Sequence, residues 1–324
     1  MNDLVSVIIP AFNASARIKS ALESVIAQDY ADIEIIVVDD ASNDDTGKIA
    51  HEVLSRSSFT HKIITHDRNR GVSAARNTGI ESARGKYICF MDADDLLREN
   101  FVSCLHASIS QGEYDIAFCG LTDSFTDGKP NKDIRYVRGN WNVSGEKLIL
   151  GGNVPPVYCC IYRREFIARH NLRFHEGCIS GEDIEFVMKA LCMAGKISFT
   201  PECLYIYVHY SGMGSVSGNR ITRYASNAGA IVRTAEYLAE NSPSENVRRF
   251  AQYVLMPRGA IMKFTLQAMK GEREIYSSML HDENNIEALR RAMSLYTLTK
   301  KPEVFFKAFM ILHMPRIYYM MRSK

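Results

Sequence analysis

The sequence lacks several patterns that would place it in common functional classes. No GxGxxG motif and no basic, phosphate-cradling glycine loop follows the first apolar run, which disfavours a dinucleotide-dependent oxidoreductase and a nucleotidyltransferase. The eight cysteines contain no CxxC pair and no zinc-ligand spacing. No apolar run approaches the roughly 18 residues that a membrane span needs, and the N-terminus has no basic start. These absences predict a cytoplasmic protein with reduced thiols and no signal peptide.

The charge that is present is unevenly distributed along the chain. Residues 1–218 carry 22 Lys/Arg against 28 Asp/Glu, whereas residues 219–324 carry 17 against 9. The final stretch, KKPEVFFKAFMILHMPRIYYMMRSK, combines six Lys/Arg and one Glu with many large apolar side chains. That pattern is typical of a helix lying on an anionic membrane surface. A helical subdomain that packs on the protein itself or on a second subunit is the alternative, so homo-oligomer formation stays open.

The first 120 residues alternate strand-like and helix-like segments. VSVIIP, IEIIVVDD, HKIITHD and KYICFMDADD read as strands, and a helical pattern follows each of the first three. Asn13 or Ser15 is the predicted N-cap of the first helix, and Gly85 the predicted C-cap of the third. Parallel neighbours need crossover connections, which helices supply. We therefore predict an α/β fold with a mostly parallel sheet, helices on both faces and a helical C-terminal region.

Acidic residues follow two of the predicted strands directly. Asp39 and Asp40 end the second strand, and Asp92, Asp94 and Asp95 follow the fourth. Ligands bind outside the carboxyl ends of the strands in open sheets of this kind. Alternate residues of an extended segment share a side, so Asp92 and Asp94 could hold a divalent cation, while Asp95 is expected to cap the next helix.

Four segments in the same order resemble the family-two inverting glycosyltransferases with the GT-A fold. They are SVIIPAFNASARIKSALESVIAQDY, IEIIVVDDASNDDT, NRGVSAARNTGIESARGKYICFMDADD and GEDIEFVMKAL. The resemblance covers roughly residues 4–217. It implies a GT-A catalytic domain over 1–218, with a nucleotide-sugar half of about 1–115 and an acceptor half of about 116–218, followed by the helical region 219–324.

The resemblance also implies roles for individual residues. The predicted nucleotide-sugar site comprises Pro10, Ala11, Phe12, Asn13, Asp40, Arg76, Asn77, Asp92 and Ala93. Phe12 would stack on the base, and Asp40 would accept a hydrogen bond from it. The predicted metal ligands for Mn²⁺ or Mg²⁺ are Asp94, Asp92 and His209; a structural histidine is the alternative reading of His209. Asp183 would be the general base, with Glu182 as the alternative carrier.

The expected activity is therefore inverting transfer from a nucleotide-diphospho-sugar, a UDP-sugar by resemblance, to a hydroxyl of a glycan or lipid-linked acceptor. The resemblance points to bacterial polysaccharide or lipopolysaccharide synthesis on the inner face of the cell membrane. We expect no nucleic-acid partner. The rival interpretations are a catalytically inactive membrane-associated scaffold and another α/β nucleotide-binding enzyme such as a nucleotidyltransferase.

Overall fold

The computed structural model describes residues 3–137, 143–211 and 219–323. Contacts divide the chain into two compact units. Unit 1 comprises Met1–Gly177 and Ala194–Gly214, and unit 2 comprises Cys178–Met193 and Ser215–Lys324. This division differs from the boundary predicted at 218 in one respect, because residues 178–193 make most of their contacts with the C-terminal helices.

Unit 1 contains a mixed sheet, to which the described residues contribute nine strands. The strands are β1 Val5–Ala11, β2 Ile33–Asp39, β3 Thr60–Thr65, β4 Tyr87–Phe90, β5 Leu96–Leu97, β6 Ile116–Phe125, β7 Lys132–Ile134, β8 Cys160–Arg163 and β9 Ile197–His209. Their order is β3-β2-β1-β4-β8-β6-β9-β5, and β7 pairs with β6.

The N-terminal half of the sheet is parallel, as predicted. β1 pairs in parallel with β2 and β4, and β2 with β3. All seven residues of β1 and of β2 are buried, as expected for strands covered on both faces. Beyond β4 the sheet is not mostly parallel, since β8 runs antiparallel to both β4 and β6 while β6 and β9 are parallel.

The helices of unit 1 are α1 Ile18–Ile26, α2 Thr46–Leu54, α3 Val72–Ser82, α4 Phe101–Ser110, α5 Gly145–Gly151 and α6 Arg164–Arg169, with a 3₁₀ turn at Val157–Cys159. Two predicted caps are wrong. α1 begins at Ile18 without a side-chain cap, because Asn13 and Ser15 bond to the loop after β2 instead. α3 ends before Gly85, whose N–H donates to Ser6 Oγ at 2.9 Å.

Unit 2 is helical throughout its described residues. Its helices are α7 Glu182–Met193, α8 Arg220–Asn241, α9 Glu245–Phe250, α10 Met256–Lys270, α11 Arg273–Met279, α12 Glu283–Ala292, α13 Leu295–Lys300, α14 Pro302–His313 and α15 Pro315–Arg322, with a π-helical turn at Ala251–Leu255. Within the part of the chain that the structure describes, no helix has the length and apolarity to cross a membrane.

One buried ion pair joins α7 to α8. Arg233 donates to both carboxylate oxygens of Glu185, with the shortest N–O distance at 2.7 Å, and the Glu185 side chain is only 3% exposed. A buried carboxylate needs such partners, because removing one of them leaves a charge that water cannot solvate. This pair is a physical reason for α7 to belong with the C-terminal helices.

Candidate functional site

The loops that follow β1 and β2 are tied together by hydrogen bonds. The Asn13 N–H donates to Ser42 Oγ at 3.0 Å, and the Asn43 N–H donates back to Asn13 Oδ1 at 2.9 Å. The Ala14 N–H donates to Thr46 Oγ1 at 2.7 Å. Because the two strands are parallel neighbours, their carboxyl ends and these loops form one continuous rim.

Asp44 and two strained residues reinforce this rim. Burial works to raise the pKa of Asp44, but hydrogen bonds from Thr46 and Ser15 outweigh it and lower that pKa to about 2. Asn13 and Ala41 have φ angles of 48° and 59°. For Ala41 a positive φ costs roughly 1 kcal/mol, and such strain concentrates at functional sites.

The residues predicted to contact the base from β1 lie at this rim. Pro10 and Ala11 are the last residues of β1, paired with Val38 and Asp39 of β2. Both are buried, whereas Phe12 is partly exposed just beyond the strand end. The roles of these three residues toward a nucleotide stay predictions.

Asp40 is buried and already hydrogen-bonded by the protein. His66 Nδ1 lies 2.6 Å from Asp40 Oδ1, and His66 Nε2 lies 3.0 Å from Thr78 Oγ1. The backbone N–H of Arg70 also donates to Oδ1 at 2.9 Å, and that of Gly71 donates to Oδ2 at 2.7 Å. Asp40 therefore fixes the loop that leads into α3.

Asp39 is placed differently from its neighbour. Its Oδ1 accepts from the Ser42 N–H at 3.0 Å. Among the residues with described positions, none donates a hydrogen bond to its Oδ2. A Cβ atom on Gly47 would lie 2.9 Å from that oxygen, so the glycine leaves room beside the carboxylate. Asp39 thus has a carboxylate oxygen with capacity to accept from a ligand at the rim.

Residues 92–95 form an acidic turn after β4, not the extended segment predicted. The Asp95 N–H donates to the Asp92 carbonyl oxygen at 3.2 Å, closing the turn. Arg76, buried in α3, contacts Asp92 at 2.8 Å, and Arg17 contacts Asp94 at 3.4 Å. Ala93, which separates the two aspartates, is buried. Each carboxylate thus has a cationic neighbour, Arg76 from α3 and Arg17 from the residue before α1.

Asp94 is the more accessible of these two aspartates, with 45% of its side chain exposed against 27% for Asp92. Partial burial and the nearby Asp92 carboxylate raise the pKa of Asp94. A raised pKa in a carboxylate at a strand end indicates negative charge that the protein does not fully neutralise. A cation bound there would relieve that repulsion.

Asp95 does not cap a helix, which corrects the sequence prediction. Residues 96–97 form β5, and α4 begins only at Phe101. The Asp95 carboxyl instead accepts from Tyr205 Oη at 2.6 Å and from the Val208 N–H at 2.9 Å. Burial and the charge of Asp92 raise the pKa of Asp95 to about 8. Tyr205 Oη also accepts from the Asp92 N–H at 3.2 Å, so β9 supports the acidic turn.

The structure brings together Asp92 and Asp94 but does not assemble the full predicted metal set. His209 Nε2 lies 3.0 Å from Asp123 Oδ1, and the imidazole stacks on Phe125 at a centroid distance of 4.5 Å. Across residues 3–137, 143–211 and 219–323, no group of three or more His, Cys, Asp and Glu side chains could hold a metal ion. A cation would therefore have only Asp92 and Asp94 from this set.

Asn77 holds the backbone at Phe174, in the segment that follows α6. Its amide nitrogen donates to the Phe174 carbonyl at 2.9 Å, and its amide oxygen accepts from the Phe174 N–H at 2.9 Å. The Arg76 guanidinium lies 5.2 Å from the Phe174 ring centroid. The Asn77 amide nitrogen also lies 3.5 Å from Glu176 Oε1, so these contacts fix residues 174–176 against α3.

The predicted general base belongs to unit 2. Glu182 and Asp183 are the first residues of α7, where the helix dipole favours a carboxylate. Asp183 is partly exposed and its Oδ1 accepts from the Ile184 N–H at 2.7 Å, whereas Glu182 is buried. Of this pair, Asp183 has the more accessible carboxylate.

Sequence reasoning missed two residues of the acidic turn's surroundings. Arg17 lies just before α1, and its guanidinium also packs 4.8 Å from the Tyr210 ring centroid. A basic residue between two strand ends was the available signal for Arg17. Tyr205 gives no local signal, because its partners Asp92 and Asp95 lie more than 100 residues away.

Comparison with known proteins decides the family. Residues 6–170 match the sequence profile described as Glycosyl transferase family 2. The chain belongs to that family. This family 2 chain is 34% identical over 214 residues to the uncharacterized glycosyltransferase EpsJ of Bacillus subtilis (strain 168), covering 64% of this chain and 61% of EpsJ. The chain therefore spans less than two thirds of that relative.

A second relative agrees with this assignment, and a solved structure agrees in fold. Glycosyltransferase GlyG of Streptococcus pneumoniae serotype 4 is 33% identical over 231 residues, which cover 65% of this chain and 73% of GlyG. The crystal structure of S. aureus TarS 1-349 in complex with UDP-GlcNAc matches with a TM-score of 0.74 at 20% identity, covering 97% of this chain and 92% of that chain. The predicted GT-A fold and the family resemblance are confirmed.

Proposed function

We propose that this chain is an inverting glycosyltransferase that uses a nucleoside-diphospho-sugar, with UDP as the nucleotide. The observation that carries the proposal is the acidic turn, in which Asp94 is half exposed and has a raised pKa. It lies at the carboxyl end of β4, whose parallel neighbour β1 leads into the rim. The crystallised S. aureus TarS complexes contain UDP-GlcNAc or UDP, which supports the choice of nucleotide.

For recognition of the uracil ring, we propose a division of labour between Asp39 and Asp40 that refines the sequence prediction. Asp39 Oδ2 is the acceptor for an N–H of uracil, and Phe12 provides the apolar surface on which the ring rests. We assign Asp40, predicted for the acceptor role, to holding the loop before α3, because its two oxygens accept three hydrogen bonds from the protein, whereas Asp39 Oδ2 accepts none from the described residues. The geometry of the rim supports this assignment.

Asp92 and Asp94 fit a hard divalent cation such as Mn²⁺ or Mg²⁺. Such ions take oxygen ligands and commonly bind one or two protein carboxylates together with substrate phosphates and water. When bound, the ion would neutralise negative charge on the diphosphate leaving group. Arg76 and Arg17 contact the two carboxylates at 2.8 Å and 3.4 Å, which restrains the carboxylates before a ligand arrives.

The acceptor hydroxyl needs a base, and we propose Asp183 for it. A hydroxyl is a poor nucleophile near neutral pH, so a carboxylate that takes its proton during attack lowers the barrier. A single displacement of this kind inverts the configuration at the anomeric carbon. We propose a glycan or lipid-linked acceptor in bacterial polysaccharide or lipopolysaccharide synthesis, and a place on the inner face of the cell membrane.

A thermal-shift panel of nucleotide sugars with and without Mn²⁺ tests the donor. A ligand that binds only the folded state raises the melting temperature, so UDP-sugars with Mn²⁺ should give the largest shifts. Equal responses to ADP-, GDP- and UDP-sugars would contradict the base assignment. No response to any nucleotide would favour the inactive scaffold.

Hydrolysis of the donor sugar by variants tests the assignment of the general base. Asp183→Asn should keep its thermal response to UDP and lose about 10²- to 10⁴-fold in turnover, because only proton removal is affected. Glu182→Gln is the matched neighbour and should retain most activity. If Glu182→Gln abolishes turnover while Asp183→Asn does not, Glu182 carries the role.

A further inference from the structure

Unit 2 contains a large groove that the proposed reaction does not use. It has a volume of about 830 Å³, within the range of sites that hold sizeable ligands. Its walls come from the first turns of α8, from α10, α14 and α15. The apolar part of the lining includes Ile221, Ile261, Met262, Met269, Val304 and Met321.

The lining of the groove is strongly basic. Arg220, Arg258, Lys307 and Arg322 line it, against one carboxylate, Glu303. Within the described part of unit 2, none of the four cations forms an ion pair; the paired cations after residue 219 are Arg233, Arg248, Lys270 and Arg291. The Arg322 guanidinium lies 5.6 Å from the Tyr318 ring centroid. The lining of the groove therefore combines excess positive charge with apolar side chains.

Large apolar side chains are exposed on α14 and α15, two of the helices that line the groove. α14 buries Val304, Ala308 and Ile311 against the other helices, and α10 and α12 are among its neighbours. The remaining surface of α14 and α15 exposes Phe306, Phe309, Ile317, Met320 and Met321, of which Phe306, Met320 and Met321 are 59%, 58% and 62% exposed. Clusters of exposed large apolar residues mark interaction sites.

We propose that the groove binds the phosphate headgroup of an anionic lipid and that α14 and α15 lie on the lipid surface. The excess cations match a phosphate, and the apolar lining residues match the chain attached to it. The exposed phenylalanines and methionines, beside Lys307 and Arg322, have the composition of an interfacial helix on an anionic leaflet. Charge complementarity favours this occupant over a second copy, which would bring the same cations to the contact.

Vesicle co-sedimentation with the full-length chain tests the proposal. The protein should bind vesicles of phosphatidylglycerol and phosphatidylcholine and not vesicles of phosphatidylcholine alone, and binding should weaken as salt rises. The triple variant Arg258→Gln, Lys307→Gln, Arg322→Gln should bind on the order of a hundredfold more weakly, since each cation near an anionic surface contributes about fivefold. Circular dichroism of each variant verifies folding.

Matched controls separate this account from its rivals. The triple variant Lys263→Gln, Arg273→Gln, Arg290→Gln removes the same charge from residues of unit 2 that do not line the groove, and it should bind like the wild type. Phe306→Ser should weaken vesicle binding by about tenfold at every salt concentration, because its contribution is apolar.

Three results would overturn the proposal. The first is equal loss of binding in the two triple variants, which would indicate a general charge effect. The second is a melting-temperature rise with inorganic phosphate or pyrophosphate but no vesicle binding, which would make the groove a site for a soluble anion. The third is self-association that Phe306→Ser abolishes, with no vesicle binding, which would assign the face to a second copy of the chain.

Discussion

Replacing Asp39 and Asp40 separately by asparagine should affect different properties of the protein. Asp40 accepts from His66 and from the backbone N–H groups of Arg70 and Gly71. An amide has one acceptor oxygen, so Asp40→Asn leaves one of these two backbone N–H groups without its partner whichever way the amide turns. An unsatisfied donor costs about 1–3 kcal/mol, and the remaining bonds lose their charge. We expect the free energy of unfolding to fall by about 3 kcal/mol.

Asp39→Asn should leave stability almost unchanged. Its amide oxygen can still accept from the Ser42 N–H, which forces the amide nitrogen to face the rim where Oδ2 was. That nitrogen cannot accept from the base. Losing a hydrogen bond to a charged acceptor costs about 1.5–3 kcal/mol, which corresponds to roughly 10- to 150-fold weaker UDP binding.

Urea unfolding followed by circular dichroism measures the first effect, and isothermal titration calorimetry with UDP measures the second. Asp40→Asn also loosens the loop before α3. We therefore expect this variant to lose some UDP affinity in addition to stability. The division of labour would be refuted if Asp40→Asn unfolded within about 0.5 kcal/mol of the wild type while Asp39→Asn bound UDP normally.

Three further perturbations have defined outcomes. The raised pKa of Asp95, about 8, means that the folded state binds more protons than the unfolded state from about pH 4 to pH 8. The melting temperature of the ligand-free protein should therefore fall as pH rises through that window, and Asp95→Asn should flatten the dependence; an unchanged pH profile would contradict it. Gly79→Ala places a Cβ 2.2 Å from Ile8 Cγ2, so despite a gain of about 1 kcal/mol in helix propensity it should lower the free energy of unfolding by about 2 kcal/mol in urea. Arg233→Met should cost about 2 kcal/mol, because Glu185 then keeps only Lys189 as a cationic partner. Glu185→Leu and Lys189→Met added to it should recover most of that loss; absence of recovery would show that packing, not charge, holds α7 to α8.

Local patterns were sufficient for the parallel half of the sheet. β1 and β2 are nearly continuous apolar runs, each followed by a helix of clear period, and such runs specify strands covered on both faces. The polar residues at their carboxyl ends had to meet at one edge, because parallel strands share direction. The rim formed by Asn13 and Ser42 follows from this topology.

Features that depend on distant partners could not be predicted from local pattern. The side chain of Asp95 resembles a helix cap in sequence, yet Tyr205 and Val208 determine its position from β9. Nothing local in the sequence indicates that Asp40 accepts hydrogen bonds from His66, which follows β3, and from the loop before α3. In both cases the hydrogen-bond donor lies in, or directly after, a strand that only the folded sheet brings near the aspartate.

The central claim, that the acidic turn binds a divalent cation together with a nucleoside diphosphate, is tested most directly by the dissociation constant of UDP measured with and without Mn²⁺. In the wild type Mn²⁺ should strengthen UDP binding by about tenfold or more, because it neutralises charge between the diphosphate and the two carboxylates. Asp94→Asn should lose most of this enhancement, whereas Asp127→Asn, which removes an exposed carboxylate paired with Lys129, should keep it. Equal UDP affinity with and without Mn²⁺ in the wild type, or full enhancement in Asp94→Asn, would contradict the claim.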